Sequence, residues 1–247
     1  MSGPVTVNGV VLLAAPVGEY DKRVVLLTRE RGKITAFARG ARKSTSALLA
    51  AANPFVFAAF SVYEGRSAYS LVAAEVSHHF TELAREQPGV YYGFYFLEFL
   101  DYYGREGVDA AAMVNLLYAA LRSLENPKIP NPLVRRVFEL KLMTLNGEYP
   151  QVFECVRCGS KEDLATFSLG KSGVLCTECC REDKAGVPVS ASLLYTMQYV
   201  IASPIGKLYS FTVTDEVLRE FERLMDRYVE LYTDKKFKSL EILKMMC

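Results

Sequence analysis

Residues 22–43 read KRVVLLTRERGKITAFARGARK. Two runs rich in apolar and β-branched residues, Arg23 to Thr28 and Lys33 to Arg39, are joined by Arg29-Glu30-Arg31-Gly32. A short polar connection ending in glycine between two such runs predicts a β-hairpin. Strand alternation places Lys33, Thr35, Phe37 and Arg39 on one face and Ile34, Ala36 and Ala38 on the other. One face is therefore core, and the other carries two cations bracketing an aromatic ring.

Outward from this hairpin the same period continues. Val5 to Ala14 is apolar and β-rich, and Gly18 to Asp21 is a turn. Phe55 to Tyr63 and Ala68 to Ser77 form a second hairpin across Glu64-Gly65-Arg66-Ser67. The connection between the hairpins contains Ser44 to Ala52, rich in alanine and leucine, where we expect a short helix. Five short strands with one long connection between the third and fourth predict a closed barrel of OB type over residues 1–80.

Beyond residue 80 the period becomes helical over Pro88–Tyr103, Asp109–Leu124, Pro132–Leu145, Ala191–Ala202 and Asp215–Tyr232. The first carries Tyr91, Tyr92, Phe94, Tyr95, Phe96 and Phe99, apolar nearly all round, and is expected to be buried. The predicted class is α+β: an N-terminal five-stranded OB-type barrel, then an all-α domain over 81–149 and 186–247. A four-cysteine module over 150–185 is inserted in the helical domain.

That module holds Cys155-x-x-Cys158 and Cys176-x-x-Cys179. Each Cys-x-x-Cys turn can aim two thiolates at one point, and two turns supply a tetrahedral sulfur shell for one structural zinc ion. Gly159 suits the crowded backbone after Cys158. Cys180 could take the place of Cys179, while Cys247 reads as a free thiol. His78 and His79 fall at the end of a strand, away from the module.

The chain has 247 residues, 51% of them hydrophobic, and a net charge of +1. Val5 to Val17 lacks a basic flank, and Val90 to Tyr103 is too short and too interrupted to span a bilayer. We therefore expect a soluble cytoplasmic protein without membrane contact. Residues 22–43 hold eight cations against the single acid Glu30, a local net charge of +7. Such asymmetry gives a directed electrostatic surface.

Catalytic signatures are missing. Both histidines are adjacent, no Gly-x-Ser-x-Gly elbow occurs, and Gly170-Lys171-Ser172 lacks the leading glycine of a phosphate loop. The chain does not read as an enzyme. Binding reads better: cations track phosphates, and flat rings stack bases. The candidate nucleic-acid-binding residues, DNA-binding on the reading we favour, are Lys22, Arg23, Arg29, Arg31, Lys33, Phe37, Arg39, Arg42, Lys43 and Arg66, with Tyr63 and Tyr69 as secondary stacking candidates. An RNA-binding factor is the alternative, since OB barrels and zinc modules also serve RNA.

The runs Gly18-Glu19-Tyr20-Asp21-Lys22, Leu27 to Lys33, Ala38-Arg39-Gly40-Ala41-Arg42-Lys43-Ser44, Asn53-Pro54-Phe55 and Tyr63-Glu64-Gly65-Arg66 together resemble the bacterial RecO family. The four-cysteine module inside a helical domain resembles it too. This resemblance implies a recombination mediator in DNA repair, associated with the nucleoid, that binds single- and double-stranded DNA and anneals complementary strands. It further implies engagement of the single-stranded DNA-binding protein and RecR, helping indirectly to load RecA onto coated DNA.

Overall fold

The computed structural model describes residues 3–83, 85 and 87–246; Cys247 lies outside them. Five strands close into a barrel: β1 (Val5–Val17), β2 (Asp21–Thr28), β3 (Gly32–Ala38), β4 (Val56–Tyr63) and β5 (Tyr69–His79). Their order is β1-β2-β3-β5-β4, with β4 returning antiparallel to β1 and β3 meeting β5 in parallel. This is the OB arrangement. Inward residues Val7, Val24, Leu26, Ile34, Ala36, Phe60 and Val62 fill the interior. Gly9 sits where β1 leaves β4 for β2, and a Cβ there would lie 2.1 Å from the Leu27 carbonyl oxygen.

The helices are α1 (Leu48–Ala51), α2 (Gly89–Tyr103), α3 (Ala111–Leu124), α4 (Asn131–Leu145), α5 (Ala191–Ala202), α6 (Asp215–Tyr232) and α7 (Lys238–Met246). Only four residues of the helix expected over Ser44 to Ala52 are helical. The Ser46 hydroxyl accepts the Leu48 N–H at 3.2 Å, a local bond that competes with helical pairing. α7 is an element that periodicity did not show.

By packing, the chain divides into two compact units, residues 1–121 with 237–247, and residues 122–236. Within the first, Tyr92, Tyr95, Phe96 and Phe99 of α2 are interior, as expected, whereas Tyr91 is half-buried and Phe94 is 44% exposed. Tyr95 and Phe99 stack at 5.6 Å, and Phe237 stands edge-on to both at 5.9 and 5.1 Å. α7 is anchored there by the Ser239 N–H, which donates to Glu98 Oε2 at 2.9 Å.

The β2–β3 turn is clamped within this unit. Lys33 N–H donates to the Arg105 carbonyl at 3.0 Å, Gly107 N–H to Arg31 at 2.9 Å, and Ala110 N–H to Arg29 at 3.1 Å. Gly32 has φ +63°, and a Cβ on it would lie 2.0 Å from the Arg105 carbonyl oxygen. Glycine is thus required twice over at this turn, by conformation and by space.

In the second unit, α4 packs against α5 and α6. Glu139 is fully buried and accepts from Arg135 Nε at 2.8 Å and Arg136 Nη1 at 3.0 Å. Asp226 on α6 accepts from Arg136 Nη2 at 2.8 Å and Arg135 Nη2 at 3.1 Å. The buried Arg136 Nε is left without a hydrogen-bond partner. Lys141 donates to the carbonyls of Val200, Ile201 and Ser203, closing the C-terminal end of α5. The cysteine region adds a small sheet, β6 (Leu164–Ser168), β7 (Gly173–Cys176) and β8 (Val187–Pro188), in the order β7-β6-β8. The turn between β6 and β7 holds Gly170, Lys171 and Ser172.

Candidate nucleic-acid interface and metal centre

The register of the barrel decides which basic side chains share a face. Arg23 on β2 lies directly opposite Phe37 on β3, and Phe37 lies opposite Ser70 on β5. Directly opposed residues hold their Cβ atoms about 5 Å apart, so the stem of Arg23 runs beside the Phe37 ring. Phe37 is 37% exposed. Arg39 follows the end of β3, Arg66 sits in the β4–β5 turn, and both are exposed. The side chains of Arg23, Arg39 and Arg66 have no hydrogen-bond or ion-pair partner among the described residues.

The remaining cations are engaged to different degrees. Lys22 Nζ donates to the Ala52 carbonyl at 3.1 Å and to Asn53 Oδ1 at 2.7 Å. Burial, and then the charge of Arg42, lower its pKa. Arg29 Nη2 donates to Asn115 Oδ1 at 2.6 Å, and Lys33 pairs with Asp101 at 3.2 Å. Arg31 pairs with Glu64 at 3.2 Å, and its pKa is raised first by a bond with Tyr69 and then by the Glu64 charge. Arg42 Nη1 donates to the carbonyls of Gly18 and Glu19, while Lys43 lies 5.3 Å above the Tyr20 ring.

Of the two secondary stacking candidates, Tyr63 is 43% exposed but Tyr69 is only 8% exposed, so Tyr69 offers no face to a base. Sequence reasoning left Tyr20 off the face, although it is 46% exposed beside Lys43. His78 is packed edge-on against Phe80 and Tyr118, and His79 Nδ1 meets the Thr81 hydroxyl at 3.1 Å.

Four sulfurs meet in the second unit. Those of Cys155, Cys158, Cys176 and Cys179 all lie within 4.8 Å of one another. Cys158 Sγ and Cys176 Sγ are 3.8 Å apart. Zinc–sulfur bonds of about 2.3 Å at tetrahedral angles separate sulfurs by about 3.8 Å, so this donor set fits a zinc-sized ion. Cys180 instead directs its thiol to the Thr177 carbonyl at 3.3 Å.

Backbone bonds build the cluster. Gly159, at φ +76°, donates to the Cys155 carbonyl at 2.9 Å, and Val156 N–H reaches the Val174 carbonyl at 2.9 Å. The first bond closes one Cys-x-x-Cys turn, and the second joins it to β7. Burial pushes the Cys155 thiol up, but backbone N–H groups of Cys158, Cys176 and Arg157 outweigh it and bring it down to about 6. These N–H groups favour the thiolate, the form that binds metal.

The architecture thus defines a class: an OB barrel with an open cationic strand face, followed by helices that carry a four-sulfur centre. Comparison with known proteins is specific. The family model for the N terminal of recombination protein O matches residues 1–80, and the one for its C terminal matches residues 89–241. A DNA repair protein RecO of Symbiobacterium thermophilum is 32% identical over 242 residues, 96% of this chain and 95% of the relative. That of Alkaliphilus metalliredigens is 30% identical over 239 residues, 96% of this chain and 97% of the relative. The chain belongs to the RecO family.

Proposed function

We propose that this chain is a DNA repair protein that binds single- and double-stranded DNA on the barrel, anneals complementary strands and assists the loading of RecA. One observation carries this reading. Arg23, Phe37 and Arg39 stand on one outward strand face, with a ring between two cations that have no ion-pair partner among the described residues. Arginines there lower phosphate repulsion between two strands, and the ring stacks a base without reading its identity. Weak, sequence-tolerant grip lets two strands search for register, so annealing needs no turnover. Lys22, Arg29, Arg31, Lys33, Arg42, Lys43 and Arg66 extend the same field.

Cys155, Cys158, Cys176 and Cys179 would hold one zinc ion, which supplies cross-linking of the module and no open coordination position. RecR and the single-stranded DNA-binding protein are the partners that fit a family acting in recombination, in the cytoplasm at the nucleoid. No described helix is long and apolar enough to cross a membrane.

The test is annealing of two complementary DNA strands, each coated with the cognate single-stranded DNA-binding protein, with and without this chain. Acceleration without any nucleotide is expected. No acceleration by folded, zinc-replete protein overturns the annealing role, and tighter binding to RNA than to DNA of the same sequence turns the reading to an RNA factor.

A further inference from the structure

A cleft of about 470 Å³ opens beside the Lys33 end of the β3 face. Its walls come from three separate parts of the first unit: Lys33 and Thr35 on β3, Arg66 and Ser67 in the β4–β5 turn, and Arg105 just after α2. Two acids, Glu64 and Glu106, also line it. Glu64 is matched by Arg31, and Lys33 by Asp101. Arg66 and Arg105 therefore face Glu106 alone as the unmatched acid. Arg105 spends one donor on the Tyr102 carbonyl at 3.3 Å, which leaves its charge and the rest of its fork available.

The backbone keeps the cleft open and Arg105 fixed. Arg105 is held through its carbonyl, the acceptor for Lys33 N–H, so its position is tied to β3. Gly104 lies so close to Lys33 that a Cβ would fall 3.1 Å from the Lys33 Cβ and 3.0 Å from the Leu100 carbonyl. Thr35 and Phe37 lead along the same strand face from the cleft toward Arg23 and Arg39. At about 3.3 Å per residue, the outward side of β3 is roughly 20 Å long, room for a few nucleotides.

We infer that this cleft is the end station of a single-strand track along β3, where Arg105, supplied from outside the barrel, and Arg66 take one backbone phosphate of the nucleic acid. The inference rests on the DNA-binding reading above and adds a contact that neither the strand alternation nor the basic run contains. Its ligand chemistry is a phosphodiester, with the adjoining nucleotide seated in the cleft.

The test is a salt series of fluorescence anisotropy on the full chain with a labelled oligothymidylate of about a dozen nucleotides, a length in the range of one OB fold. Arg105→Ala is expected to weaken binding several-fold at low salt. It should also make the slope of log K against log salt shallower by about 0.7, the loss of one phosphate contact on a single strand. Arg105→Lys should restore the slope, because charge rather than shape sets counterion release. If Arg105→Ala lowers the thermal midpoint, Arg66→Ala probes the same cleft from another wall and should give the same slope change. An unchanged slope and affinity in Arg105→Ala, with binding lost in Arg23→Glu/Arg39→Glu, overturns the cleft and leaves the proposed function standing. Wild-type protein that fails to bind the oligonucleotide removes both.

Discussion

Two pairs of arginines in this molecule have the same chemistry and opposite circumstances. Arg135 and Arg136 on α4 are 8% and 2% exposed, and both reach Glu139 and Asp226. Arg23 and Arg39 on the barrel are exposed, and their side chains have no ion-pair partner among the described residues. A buried cation must be matched or the unit does not fold, whereas a solvated one can be left open at little cost. The presence or absence of a partner separates cations that hold the fold from cations kept for a ligand. Lys33 and Arg29 are intermediate, tied to Asp101 on α2 and Asn115 on α3 yet still on the basic edge.

The largest effect should come from removing the buried acceptor. Glu139→Ala leaves two guanidinium groups short of a partner and should cost about 3–5 kcal/mol in denaturant unfolding of the second unit. A loss below about 1 kcal/mol would break the contrast. Next, Arg23→Glu with Arg39→Glu should weaken single-strand binding about a hundredfold at low salt while the thermal midpoint stays put. A lowered midpoint would show that these side chains are structural after all. Lys33→Ala sharpens the middle case: about 1 kcal/mol of stability is lost with the Asp101 contacts, and affinity falls less than in the double reversal.

The smallest effect is one of pH. Partial burial pushes the Glu30 carboxyl up, but bonds from the Asn8 side chain and N–H, with the Arg29 charge, outweigh it and hold the pKa below 4.5. A depressed folded pKa adds stability above the unfolded value, and that stability is lost as pH falls through the folded one. Below about pH 4.5 the wild type should therefore lose up to about 1 kcal/mol relative to Glu30→Gln, and parallel pH profiles would count against the Asn8 link.

The barrel was legible because its signals are local. Alternation along Lys33 to Ala38 predicts the burial of every residue in that run, and glycine at 32 marks the turn. The cysteine spacing likewise brings four sulfurs together, although it does not choose between Cys179 and Cys180; the Thr177 carbonyl, which takes the Cys180 thiol, does. What was illegible depends on distant chain. Arg135 and Arg136 stand four and three residues from Glu139, a readable helical pairing, but Asp226 comes from another helix. Arg105 lies in Gly104-Arg105-Glu106-Gly107, which has no period at all, and its place is set by strand β3. α7 was missed because Ile242, Met245 and Met246 are exposed apolar residues that blur its two faces.

The division of the chain also bears on how it is made. The first unit needs residues 237–247, yet the whole of the second unit, residues 122–236, is translated between. Synthesis proceeds at about 5–20 residues per second, so for several seconds α2 emerges from the ribosome without the Phe237 ring that caps Tyr95 and Phe99. During that interval the nascent barrel unit carries an uncovered aromatic surface, and the inserted unit is free to complete its own folding first. The order of synthesis makes the first unit to appear the last to be finished.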